Sequence, residues 1–117
     1  MGRVVAFMDD LFFQMKIAET AKHVGVEVKV ATNAEALRTL LATPPQLVIV
    51  DLNARSNPIG AVQELRQTHP TLPVVAFLSH VQRELAAQAQ AAGCNQVMPR
   101  SAFTQNLADI LAAAKDR

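Results

Sequence analysis

The sequence predicts a doubly wound α/β domain: a (βα)5 chain with a parallel sheet in the order 2-1-3-4-5. Three observations lead there. Five apolar, β-favouring segments begin near Arg3, Val26, Leu47, Pro73 and Gln96, spaced by 21 to 26 residues. Each interval, and the stretch after the last segment, has helical periodicity, as parallel strands joined by helical crossovers require. At 117 residues, half of them apolar and 18% charged, the chain has the size of one domain with a full core.

The elements follow in order. Val4 to Met8 is the first strand, and Phe13, Ile17, Ala21 and Val24 form the apolar stripe of the first helix. The second strand alternates Val26, Glu27, Val28, Lys29, Val30. Thr32 and Glu35 make a capping box ahead of Leu37, Leu40 and Leu41, and Pro44-Pro45 stops that helix. Leu47 to Val50 is the third strand. Asn57-Pro58 sets a cap and an N1 proline before Ile59, Val62 and Leu65, and His69-Pro70 closes the third helix. Val74 to Leu78 is the fourth strand; Val81, Leu85, Ala89 and Ala92 stripe the next helix, which Gly93 ends. The fifth strand, around Val97-Met98, is short and meets Pro99. Phe103, Leu107, Ile110, Leu111 and Ala114 stripe the last helix, with Lys115 and Arg117 suited to its C-terminal dipole.

Continuous apolar runs mark strands one, three and four as buried on both faces, hence central. The alternating second strand and the short fifth are edges. Right-handed crossovers then wind the sheet 2-1-3-4-5, a flavodoxin-like topology.

Composition excludes several function classes. Eleven basic and ten acidic residues, with no block of like charge, argue against a nucleic-acid domain. Five Phe and no Tyr or Trp leave no stacking platform for single strands or a flavin. Cys94 is the single cysteine, so there is no internal disulfide and no multi-cysteine zinc site. No apolar run reaches the ~18 residues of a membrane span, and the run at Val4 to Met8 is too short for a signal peptide; a reducing cytoplasmic setting is expected. The loop after the first strand has no glycine, so a dinucleotide fingerprint or phosphate-cradling loop is missing, and an enzyme or small-molecule binder on this fold is disfavoured.

Chemistry in such a sheet collects at the C-terminal strand ends, where the winding reverses. Strand one ends in Asp9-Asp10 and strand three in Asp51-Leu52-Asn53. Strand four delivers Ser79-His80 and strand five Arg100-Ser101. Three carboxylates this close repel one another unless compensated, and magnesium, which takes one or two carboxylates plus water, is the simplest compensation. A carboxylate beside magnesium, with a hydroxyl and a cation near, suits phosphoryl transfer onto an aspartate. Asp51 is then the nucleophile. Asp10 and Asp51, with the main-chain carbonyl of Asn53, hold the metal, and Ser79 and Arg100 contact the phosphoryl oxygens. Blander roles compete. Asp9 or Asp10 can cap the first helix, Ser79 with Gln82 and Ser101 can cap the fourth and fifth, and Arg100 can be a surface ion-pairing group. Asp51 resists such a reading, because an acid closing the run Leu47 to Val50 is costly without a partner or solvent.

In these residues the whole chain resembles the receiver domain of bacterial response regulators, the chemotaxis-regulator type of two-component signalling. The acidic pair Asp9-Asp10, the turn Asp51-Leu52-Asn53, the hydroxyl Ser79 and the Ala92-Gly93 element stand at the family's positions. The resemblance implies that Asp51 is the phospho-acceptor, Asp9 and Asp10 the magnesium-site acids, and Ser79 the family's hydroxyl. The departures are specific. Arg100 stands for the family's lysine; the charge survives, but a planar fork on a longer stem need not reach the point a compact ammonium reaches. Ser101 stands for the proline that commonly follows, His80 for a small residue after the hydroxyl, and Val97 for the aromatic switch residue. Ala54-Arg55-Ser56-Asn57 replaces the proline-containing turn, and Gly60 comes one residue late.

Two functions follow. One is a stand-alone receiver that takes a phosphoryl group from a histidine kinase or phosphotransfer protein, with magnesium, and signals to a downstream protein target. The other is a phosphorylation-independent pseudo-receiver, an interaction module. The three retained acids favour the first; Arg100, His80 and Val97 favour the second. A homodimer along the last helices would use Val97, Phe103 or Leu107. His80 is read as a steric gate beside the acids, His23 as solvated, His69 as a helix-end group, Cys94 as a buried filler, and the methionines as core.

Overall fold

The computed structural model describes residues 2–79 and 82–115; His80, Val81 and Arg117, to which the sequence assigns roles above, lie outside the described residues. Its elements alternate as expected: β1 (Gly2–Phe7), α1 (Leu11–Val24), β2 (Val26–Ala31), α2 (Ala34–Leu40), β3 (Leu47–Asp51), α3 (Pro58–Thr68), β4 (Val74–Leu78), α4 (Arg83–Ala92), β5 (Gln96–Pro99) and α5 (Arg100–Lys115). All strands are parallel and lie in the order β2-β1-β3-β4-β5. The three continuous apolar runs are the three central strands, for the reason given by their burial on both faces.

Pleat alternation splits the core into two layers. Val5, Phe7, Val48, Val50, Val74, Ala76 and Leu78 face α2, α3 and α4, where Leu37, Val62, Leu65 and Ala89 meet them. Val4, Ala6, Leu47, Ile49 and Phe77 face α1 and α5, meeting Ile17, Phe103, Leu107 and Leu111. Each buried Val, Leu, Ile or Phe among them stabilises the fold by about 1.5–3 kcal/mol relative to exposure, the alanines by less. The stripes of α1 and α5 are therefore the attachments that seat β1 and β4 against one face. No helix among the described residues is long and apolar enough to cross a membrane.

Capping accounts for most helix boundaries, with shifts from the sequence reading. Asn57, at φ 56°, accepts from Gly60 N–H at 3.1 Å with Pro58 next, as expected. The cap of α2 is Asn33, not Thr32: Asn33 is extended and its side chain accepts from Ala36 N–H at 2.8 Å, which puts Glu35 in the first turn. Ser101 does not cap α5, because the helix already begins at Arg100. Gln82 holds the N-cap position of α4 but makes no side-chain cap bond, so no capping box with Ser79 forms. Gly25 and Gly93, with φ of 90° and 122°, end α1 and α4 in conformations that L side chains rarely adopt.

Three surface expectations are corrected. Phe103 and Leu107 are fully buried against the sheet, leaving only half-buried Val97 of the suggested dimer face. Met15 is exposed, unlike buried Met8, because it lies off the α1 stripe. Leu11 and Phe12 beside it are exposed as well. Cys94 is buried as expected, and burial pushes its thiol up to about 11.

Candidate functional site

The C-terminal strand ends bring Asp9, Asp10, Asp51, Asn53, Ser79 and Arg100 to one end of the sheet. Asp51 is the last residue of β3, in register with Phe77 of β4, and is the one buried charged residue among those described. Its Oδ1 accepts from Asn53 N–H at 2.9 Å, a bond made by the tight turn after the strand. Its Oδ2 lies 3.8 Å from Arg100 Nη2. Burial raises the Asp51 carboxyl above its ordinary range, reinforced by the charges of Asp9 and Asp10 and opposed by the Asn53 N–H and Arg100.

Asp10 takes the capping role weighed from sequence and adds an ion pair with Arg100. As N-cap of α1 its Oδ1 accepts from Phe13 N–H at 3.1 Å, and its Oδ2 accepts from Arg100 Nη1 at 3.0 Å. The Phe13 bond, then Arg100, hold its carboxyl below the usual value. Asp9 is exposed and turned elsewhere: its Oδ2 accepts from Arg55 N–H at 3.0 Å, tying β1 to the loop after β3.

Arg100, the first residue of α5, is the centre of the site and not a free surface cation. Its guanidinium carbon lies 4.7 Å above the Phe13 ring centre and 5.4 Å from that of Phe77. The two rings meet edge to face at 5.1 Å, and Phe103 stacks on Phe77 at 4.6 Å. Phe13 and Phe77 thus flank the guanidinium, with Phe103 packed behind them, while its two terminal nitrogens face two carboxylates. Its Nε is buried without a hydrogen-bond partner.

Ser79 is exposed at the end of β4 and is placed by Asn53, whose Oδ1 accepts from Ser79 N–H at 2.7 Å. Asn53 Nδ2 donates to Gln82 Oε1 at 3.0 Å. Asn53 therefore joins the turn below Asp51 to the segment leading into α4. The sequence reading assigned it only a main-chain carbonyl. Its side-chain role, the flanking phenyl groups and the Arg55 contact were missed; the signal within reach was Phe13 and Phe77 on the layer that also holds Phe103.

As they stand, the acidic oxygens are engaged with neighbouring donors rather than arranged around a divalent cation. Both oxygens of Asp10 are bonded, Asp51 has one oxygen on a main-chain N–H and the other toward Arg100, and Asp9 is engaged with Arg55. Among the described residues no group of three acidic, histidine or cysteine side chains is placed to hold a metal.

No family model matches the sequence, and no curated protein matches it. Solved structures do. NtrX from Brucella abortus, in complex with ADP, superposes with a TM-score of 0.81 at 22% identity over 98% of this chain. The match takes in only 26% of NtrX, so the chain spans about a quarter of that protein's length. A response regulator receiver domain protein from Clostridium thermocellum gives 0.83 at 20% identity, covering 100% of this chain and 96% of that one. The receiver domain of the Francisella response regulator 1452 gives 0.83 at 16%, covering 100% and 98%. At these identities the likeness is one of architecture, and the architecture is that of response-regulator receiver domains: this chain has the receiver fold.

Proposed function

We propose that the chain is a signalling receiver that accepts a phosphoryl group on Asp51 from a histidine kinase or phosphotransfer protein and passes the change to a protein target. The observation that carries this reading is Asp51 itself, a carboxylate buried at the C-terminal end of β3 with Oδ1 held by Asn53 N–H and Oδ2 toward Arg100. Burying an acid costs stability even when it is paired, and acids kept at such a cost in a cleft cluster at functional sites. In the transfer, Asp51 Oδ2 forms a bond to phosphorus as the bond from phosphorus to the donor's imidazole nitrogen breaks, and the electron pair leaves with the nitrogen. Arg100 and Ser79 are the groups available to the new phosphoryl oxygens. The Asn53 N–H keeps the carboxylate oriented throughout.

One observation favours the second reading, a phosphorylation-independent interaction module: the guanidinium of Arg100 already bonds Asp10 and faces Asp51. The two readings part in one experiment. Native protein and Asp51→Asn are treated with acetyl phosphate and weighed intact, then titrated with beryllofluoride while backbone amides are followed. A mass gain of one phosphoryl group, with amide shifts at Asp51, Asn53 and Ser79 that vanish in the variant, upholds the receiver. Unchanged mass and silent amides overturn it in favour of the interaction module.

A further inference from the structure

We infer that Arg100 is the resident cation of the acid pocket: its guanidinium takes the electrostatic place of a divalent metal ion, and such an ion enters only by displacing it. The inference concerns the pocket proposed above as the reaction site, but it rests on that pocket's charge balance and not on phosphorylation.

Geometry comes first. Arg100 Nη1 lies 3.0 Å from Asp10 Oδ2 and Nη2 lies 3.8 Å from Asp51 Oδ2, so one fork faces both acids. A planar guanidinium suits two separate carboxylates, which a point-like ammonium on a flexible stem does not span. The fork is also held from the side, over Phe13 at 4.7 Å and near Phe77 at 5.4 Å. Its buried, unpartnered Nε shows that the group is kept there by the carboxylates and ring faces, not by hydrogen bonding at every nitrogen.

Competition follows from charge. Magnesium asks for near-octahedral oxygen ligands at about 2.1 Å and usually one or two carboxylates. The carboxylate oxygens of Asp10 and Asp51 are already committed to Phe13 N–H, Asn53 N–H and the fork. Asp9, the third acid, is held by Arg55 N–H. An incoming cation therefore meets a like charge at close range and acids whose negative charge is partly spent. Rotating Arg100 out would strip the fork from both acids and from the Phe13 face at once.

The test is a magnesium titration of the full chain followed by backbone amide shifts, with manganese broadening to locate the ion. Native protein is expected to show weak, unsaturated changes at Asp10, Asp51 and Asn53. Arg100→Ala is expected to bind at least about tenfold more tightly at those amides, as loss of a neighbouring positive charge dictates. Adding Asp51→Asn to that variant should abolish the gain. Arg100→Lys, which keeps the charge without the fork, covers the case in which the alanine variant does not fold, and should bind magnesium more tightly than native protein. Saturable magnesium binding in native protein that neither Arg100 substitution strengthens overturns the inference. A gain in Arg100→Ala with no beryllofluoride response upholds it while sinking the phosphoryl-acceptor reading.

Discussion

Arg66 of α3 donates twice to the carbonyl of Gly93, from Nε at 2.9 Å and from Nη2 at 2.7 Å. The same guanidinium donates to the carbonyls of His69 and Leu72 and to Asn95 Oδ1, so one side chain joins the end of α3 to the loop that follows it and to the loop between α4 and β5. Asn95 Oδ1 in turn accepts from Val74 N–H, at the start of β4. Arg66→Leu keeps the apolar stem and removes every donor, and should lower stability by about 2–4 kcal/mol, since bonds from a charged donor contribute ~1.5–3 each but overlap. Urea unfolding measures this, and a loss below 0.5 kcal/mol would refute the account. Gly93→Ala should destabilise as well, because at φ 122° a Cβ is strained and would meet Arg66 Cγ at 2.6 Å.

That cluster was illegible in the sequence for a plain physical reason: an arginine on a helix declares charge but not which distant carbonyls it will reach. The sheet was legible because Val4 to Met8, Leu47 to Val50 and Val74 to Leu78 carry their burial in composition. At α2 both Thr32 and Asn33 are competent caps, and local spacing did not choose between them. The positions of Asp51 and Arg100 at strand ends followed from the winding. Their relation did not, because it depends on Phe13 and Phe77 forming a wall, which is a matter of side-chain packing across three elements.

Asp51 and Asp10 should respond to pH with opposite sign. Burial raises the folded carboxyl of Asp51 above 3.8, so its contribution is fully favourable below the unfolded value and is lost as pH rises through the folded one. Asp10 is lowered from 3.8, so its contribution is present above the unfolded value and lost as pH falls through the folded one. Asp51→Asn is therefore expected to be more stable than native protein at neutral pH, with the gain fading on acidification. Asp10→Ala should be less stable at neutral pH by about 1 kcal/mol for the lost cap alone. Urea midpoints for the three proteins, taken from neutral pH down through the carboxylate range, decide it. Parallel curves for the two variants would contradict these assignments.

Asn53→Ala keeps the main-chain bond to Asp51 but removes both side-chain links, to Ser79 N–H and to Gln82. The expected loss is about 1–2 kcal/mol, as for two ordinary hydrogen bonds at a partly exposed turn. More diagnostic is the location: amide exchange should accelerate at Ser79 and in the first turn of α4 while β1 stays protected. Unchanged exchange at Ser79 would mean that the Asn53 side chain does not order this loop.

Phe12 and Phe13 are neighbours with opposite fates, and substituting each separates surface from core. Phe12 is 85% exposed and off the α1 stripe, whereas Phe13 is 8% exposed, packs on Phe77 and underlies Arg100. Phe12→Ser should leave stability within about 0.5 kcal/mol, because serine and phenylalanine have similar helix propensity and little area is lost from the core. Phe13→Ala should cost about 3–5 kcal/mol, the range for a buried phenyl. Phe13→Leu preserves most of the volume and isolates the ring's hold on the guanidinium, so its effect should appear in the site. The Arg100 side-chain resonances should broaden or shift in that variant and stay put in Phe12→Ser. If Phe13→Leu leaves them unmoved, the ring only fills space, and the two carboxylates alone hold Arg100 in place.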